Sequence, residues 1–146
     1  MARLSGFGIS VDLPDGWDGR IYSRETPAGT RATLHAGTFP LPPDRGDFGS
    51  GAVELMGDED VLVVLLEYDP AVVDQALFQS DVPSRLDPGA FSPTVLQRSI
   101  PGQAGSQTFF QANGRAFCLY VVVGQVANRA RLASVANQVV GAIRIE

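Results

Sequence analysis

Lysine is absent from this chain of 146 residues: all eleven cations are arginine. So one-sided a choice reads as base-composition bias rather than selection for arginine chemistry. Cysteine occurs once, as Cys118, which excludes an internal disulfide and most cysteine-built metal sites. Set inside a strand pattern, it reads as a small core residue. Histidine also occurs once, as His35, so a metal site would need His35 plus carboxylates brought in from elsewhere. The longest apolar runs, "VLVVLL" at 61–66 and "LYVVV" at 119–123, fall far below the roughly 18 residues that span a bilayer, so no membrane insertion is expected. No apolar stretch follows Arg3 in "MARLSGFG"; no secretory signal is read, and a cytoplasmic location is expected.

Catalytic motifs are missing as well. No GxSxG, HExxH, CxxC, Walker loop or GxGxxG stands in a usable context, and "GFG" at 6–8 opens a strand with no helix behind it to cradle a phosphate. Asp12, Asp15 and Asp18 do not match a calcium loop. Asp58, Glu59 and Asp60 form a turn cluster of the kind water ordinarily solvates. The formal net charge is −5, and the arginines are scattered from Arg3 to Arg144, so nucleic acid is not an expected partner. Arg129 and Arg131, at a helix start where cations are disfavoured, are expected to be solvated or paired with an acid. No enzyme activity and no cofactor are expected.

What is present fits one soluble globular domain over 1–146, with 45% hydrophobic and 18% charged residues. In "GFGISVDLPDGWDGRIYSR" (6–24), Phe7, Ile9, Val11 and Leu13 alternate with Gly8, Ser10 and Asp12, the period of a half-buried strand. Leu13-Pro14-Asp15-Gly16 has the residues of a turn. Trp17 is expected to close a hairpin against the core. The returning strand puts Arg20, Tyr22 and Arg24 on one face, read as a solvated sheet face in preference to a binding edge. "RATLHAGTF" (31–39) continues the meander, with Ala32, Leu34 and Ala36 on one side and His35 on the other.

The stretch "PLPPDRGDFGSG" (40–51) has the composition of a surface loop. Its candidate partner-binding residues are Asp44, Arg45, Asp47 and Phe48; the competing reading makes Phe48 a pin that holds the loop to the body. The continuous run "VLVVLLEY" suggests a strand covered on both faces, with layers on either side of the sheet. Asp69-Pro70 predicts the start of a short helix through "AVVDQALF". Residues 81–104, with prolines at 83, 88, 93 and 101, read as a long connection holding one short strand around "TVLQRS".

The last third is the clearest. Asn113-Gly114 between two strand patterns is a strong hairpin signal. Asn128 is placed as the cap of an amphipathic helix in which Leu132, Val135, Ala136, Val139 and Val140 recur at spacings of three and four. Gly141 is expected to end it in a left-handed cap. "AIRIE" then forms a short terminal strand with Ile143 and Ile145 inward.

The opening "GISVDLPDGW" and the closing "FCLYVVVG…LASVANQVVGAIRIE" together resemble the PsbP-like group, which includes photosystem extrinsic subunits, a Ran-binding nuclear import factor and many bacterial proteins. The resemblance implies an α+β fold: an α-β-α sandwich around an antiparallel sheet, with a C-terminal amphipathic helix, a short terminal strand and roles in binding and assembly. The expected function is a non-catalytic protein-interaction or assembly module with a protein partner, a small subunit or adaptor of a larger bacterial complex. The alternative is a small-ligand-binding protein or hydrolase using His35 with acids from the 44–60 region.

Overall fold

The computed structural model describes residues 1–146. The apolar run "VLVVLLE" becomes β5 (Val61–Glu67), buried throughout. It is the middle strand of a five-stranded antiparallel sheet in the order β3-β4-β5-β7-β6, with β3 at Asp18–Thr26, β4 at Gly29–Gly37, β6 at Ala104–Ala112 and β7 at Arg115–Val123. A strand without polar alternation needs cover on both faces, and β5 has it. Val61, Val63 and Leu65 enter the larger core with Leu34, Ala36, Leu119 and Val121. Leu62, Val64 and Leu66 enter the second with Cys118, Tyr120 and Val122. Burial of each such side chain stabilises by roughly 1.5–3 kcal/mol, so this strand anchors the molecule.

The larger core is covered by the helix α1 (Arg129–Val140), which buries Leu132, Ala133, Ala136, Val139 and Val140. Beside it lies a second antiparallel sheet of three strands in the order β1-β2-β8, with β1 at Ala2–Gly6, β2 at Ile9–Leu13 and β8 at Arg144–Ile145. The second core is covered by irregular chain: Phe39, Leu41, Ala52 and Val53 are buried there, with Phe48, Leu96 and Ile100 packed against them. The protein is thus α+β, with antiparallel sheets, one C-terminal helix and a short terminal strand. On the second face the covering layer is loop and 3-10 turn, because Pro40, Pro42 and Pro43 withhold the amide donors a helix needs. No helix is long and apolar enough to cross a membrane.

The opening stretch is not a hairpin. The turn at Pro14–Trp17 forms, closed by the Trp17 N–H on the Pro14 carbonyl (3.3 Å), but it carries the chain from the small sheet into the large one. β2 instead pairs with β1 around Phe7-Gly8, with φ values of 52° and 77° and Gly6 opposite Ile9. Phenylalanine is an unusual residue at positive φ, so this turn lacks the Asn-Gly signature by which such hairpins are read. Trp17 packs, half-buried, on the larger core.

Other expectations are corrected too. Asp69 accepts the Ala71 N–H as a helix-starting cap should, but only 3-10 turns follow, at Pro70–Val72 and Ala76–Phe78, and of their residues only Phe78 is buried. An apolar stripe with so little to pack against does not propagate a helix. No strand forms around "TVLQRS": Pro93–Val95 is a 3-10 turn, and a single bridge, Ser92 to Gly105, touches the sheet. Asn128 stands at the N-cap of α1 as expected, but it makes no side-chain capping bond, its amide turning to the Asp58 carbonyl (3.4 Å) and Glu59. Gly141 stays right-handed at φ −69°. What calls for glycine there is proximity, because a Cβ would sit 3.3 Å from the Ser84 carbonyl oxygen. The Asn113-Gly114 hairpin forms as read, with Ala112 opposite Arg115, and Arg131 pairs with Glu59.

Candidate functional site

Alternation along β4 sends Ala32, Leu34 and Ala36 into the larger core and turns Thr33 and His35 to the opposite face. The 40–51 loop folds back over that face, leaving His35 with no exposed surface. Its Nδ1 accepts a hydrogen bond from Arg45 Nε at 2.7 Å, and its Nε2–H donates to the Asp47 carbonyl at 2.8 Å. A guanidinium only donates and a carbonyl only accepts, so these partners select the neutral Nε2–H tautomer. Burial agrees, lowering the His35 pKa to about 4. The Tyr22 ring stands edge-on to the imidazole, 5.3 Å between centroids.

Tyr22 donates its hydroxyl proton to Asp47 Oδ1 at 2.9 Å; burial first, and then the Asp47 carboxylate, push its pKa up to about 12. Asp47 Oδ2 lies 3.8 Å from Arg24 Nε. Arg24 in turn reaches the Ala32 carbonyl, the Thr33 hydroxyl (3.0 Å) and the Glu67 carbonyl, stitching three strands together. The face of Arg20, Tyr22 and Arg24 is therefore not a solvated one: Tyr22 and Arg24 are half-buried beneath the loop, and only Arg20 is exposed.

Arg45 lays its guanidinium 5.9 Å from the Tyr22 ring centroid and gives Nη1 to the Pro42 carbonyl at 2.7 Å. Arg20 uses Nη1 on Asp18 (2.8 Å) and the Gly19 carbonyl (2.6 Å). Asp18 also accepts the Leu41 N–H at 2.9 Å, which fastens the start of the loop. Burial would raise the Asp18 carboxyl, but that hydrogen bond and Arg20 hold it below the usual range. Between the two arginines opens a cleft of about 360 Å³ lined by Arg20, Ile21, Tyr22, Pro43 and Arg45. Its lining holds two guanidinium groups and no acid, with Asp18 and Asp47 bonded to Arg20 and Tyr22 from outside the lining. Arg45 Nη2 and Arg20 Nε and Nη2 have no protein partner, so these two lining residues keep donors free for an oxyanion, with Arg45 the one held in place.

Of the four loop residues singled out from the sequence, Arg45 and Asp47 converge on His35. Phe48 is half-buried and packs edge-on against Tyr120 at 5.5 Å, and Asp44 is exposed outside the network. The acids of 44–60 do not assemble around the imidazole: only Asp47 reaches it, through its main-chain carbonyl. With both nitrogens committed, His35 has no lone pair for a substrate proton. No three of His, Cys, Asp and Glu converge as a metal-ligating group. Cys118 is buried in the second core, its thiol pushed up to about 11 by burial, which disfavours the reactive thiolate.

Sequence reasoning missed the pair that locks the two sheets together. Glu67 ends the central strand, and its carboxylate accepts from Arg115 Nε (2.9 Å), Arg115 Nη2 (3.1 Å) and the Ala32 N–H (3.2 Å). Arg115 also donates to the Phe7 carbonyl at 3.0 Å and to the main-chain oxygen of Glu146 at 3.2 Å. Burial would raise the Glu67 carboxyl, and Arg115 with the Ala32 amide outweighs it, so the pKa is lowered. The available signal was a lone acid closing an apolar run and an arginine following Asn-Gly.

A larger depression of about 640 Å³ lies between Gln79–Val82, Gln111–Asn113 and Ile143–Ile145, with Asp81 and Arg144 as its charges. It has no counterpart to the fixed guanidinium of Arg45. The chain matches no protein-family model, no curated protein and no solved structure, so its function is read from the geometry above.

Proposed function

We propose that this protein is a non-catalytic protein-interaction module, a subunit or adaptor of a larger assembly, which receives an acidic group of its partner in the Arg20–Tyr22–Pro43–Arg45 cleft. The observation that carries this reading is the fixing of Arg45. A fully buried neutral histidine and a main-chain carbonyl hold two of its donors, and the Nη2 donor of this cleft-lining residue has no protein partner. A guanidinium so held loses little freedom on binding a carboxylate, which favours recognition without any chemical step. The hydrolase alternative loses support for a separate reason, the commitment of both His35 nitrogens. The resemblance to the PsbP-like group, whose roles lie in binding and assembly, points the same way.

An NMR titration with a capped glycine–glutamate peptide tests the reading. Amide shifts should concentrate at Arg20, Tyr22 and Arg45 and weaken with salt, and Arg45→Gln should lower the affinity about tenfold, the loss expected for one charge-assisted hydrogen bond. Shifts that avoid these residues, or an affinity untouched by Arg45→Gln, would remove the cleft from consideration.

A further inference from the structure

The cleft opens beside β3, a nine-residue edge strand whose outer side makes no main-chain hydrogen bond. Thr38, one residue beyond β4, donates its N–H to the Val61 carbonyl at 3.1 Å and continues the β4–β5 register. Even-numbered residues of β4 therefore face β5, and Thr33 and His35 face β3. Since Arg20 pairs with His35 and Tyr22 with Thr33, the main-chain groups of Arg20, Tyr22 and Arg24 are spent on β4. Those of Ile21, Ser23 and Glu25 point outward, where none has a main-chain partner. The opposite edge differs: on β6, Gly105 exchanges two hydrogen bonds with Ser92, and the Gln111 N–H is taken by the Ser80 carbonyl. Ser23 and Glu25 are also exposed to solvent.

We infer that the edge of β3 takes an extended acidic segment of a protein partner as a sixth strand of the large sheet. Such strand addition rests on the cleft function proposed above and names the form of the partner. Main-chain bonding at Ile21, Ser23 and Glu25 supplies affinity without regard to sequence, and the alternating side chains of the incoming strand supply the choice. On the His35 side those side chains lie alongside Arg20 and Tyr22, at the mouth of the acid-free cleft, so acidic residues are favoured there. On the other side they meet Ile21, which favours apolar ones. In a second copy of this chain the two-fold register centred on Tyr22 would set Arg20 opposite Arg24, like charge against like, so self-pairing in that register is disfavoured. Charged residues on an edge deter indiscriminate pairing while admitting a complementary strand.

The probe is a capped peptide alternating glutamate and valine, with a lysine–valine peptide as its control. The glutamate peptide should slow hydrogen exchange at the Ile21, Ser23 and Glu25 amides at least tenfold, and the lysine peptide should not. Ser23→Pro removes only an outward N–H, so it should abolish binding at nearly unchanged melting temperature. Arg20→Glu, which leaves the strand hydrogen bonds intact, should reverse the preference between the two peptides. Cleft shifts that depend on Arg45 but come without exchange protection, and with Ser23→Pro binding normally, would overturn strand addition while leaving the cleft standing. Absence of any cleft response would remove both. Protection of the same amides in peptide-free dimers of the protein would assign the edge to self-association instead and overturn the acidic partner.

Discussion

At the scale of single residues, His35 shows how two neighbours set a protonation state. Protonated, it would bring a second positive charge against Arg45 Nε, 2.7 Å away, and forfeit the acceptor that orients it. Its folded pKa of about 4 lies below the ordinary value near 6.5, so between those limits the unfolded chain binds more protons than the folded one. Stability from the neutral, buried ring is complete above about pH 6.5 and is lost as the pH falls toward 4, by an amount on the order of 3 kcal/mol. Urea unfolding at pH 7 and pH 4.5 should show this loss in the native chain and a smaller one in His35→Gln, whose amide carries no titrating proton. Equal losses in the two proteins would mean that the ring is solvated or already charged. Asp18 and Glu67, both held below their usual pKa, add a loss of the same sign that begins as the pH falls through their ordinary carboxyl range, in both proteins, which is why the comparison with the variant is needed.

At the scale of elements, the 40–51 loop is held by Asp18 on the Leu41 amide, by His35 between Arg45 and Asp47, by Tyr22 on the Asp47 carboxylate, and by Leu41 and Phe48 on the second core. Phe48→Ser should therefore lower stability by about 1–2 kcal/mol, less than a fully buried aromatic costs because the ring is only half-buried. A melting temperature unchanged in a calorimetric scan would mean that the other contacts alone hold the loop. The pin was legible as one of two readings, since a lone aromatic in a proline- and glycine-rich loop either packs down or stands out. The hydrogen bonds to His35 were not legible, because residues 35, 45 and 47 carry no spacing that announces their meeting. In the same way, alternation in β2 announced a strand but not its partner. The choice of β1 over β3 turned on a Phe-Gly turn with positive φ at both residues, a geometry the residue types do not advertise.

Across the whole molecule, the Glu67–Arg115 pair joins the middle and hairpin strands of the large sheet to the Phe7 turn and the chain near Glu146. Arg115→Met should cost about 3 kcal/mol, since it strands a largely buried carboxylate and frees the small sheet at once. The double variant Glu67→Met/Arg115→Met should recover part of that loss, because it leaves no uncompensated charge. Urea midpoints measure both; a double variant no better than the single one would place the cost in the lost contacts to Phe7 and Glu146 and not in the stranded charge.

Sequence alone determined what depends on near neighbours along the chain. The apolar run at 61–67 required a strand covered on both faces, Asn113-Gly114 required a tight hairpin, and the three-and-four spacing from Leu132 to Val140 required a helix with one buried side. Tertiary structure decided what depends on residues far apart in sequence. It took β2 away from β3, laid the proline-rich chain over the second face of the large sheet, and closed the 40–51 loop over the only histidine. The physical reason is that periodicity encodes which side of an element is apolar, whereas a polar network exists only after hydrophobic burial has brought its members together. Arg20, Tyr22 and Arg45 make a cleft because the cores beneath them pack, and nothing in the spacing of 20, 22 and 45 requires it.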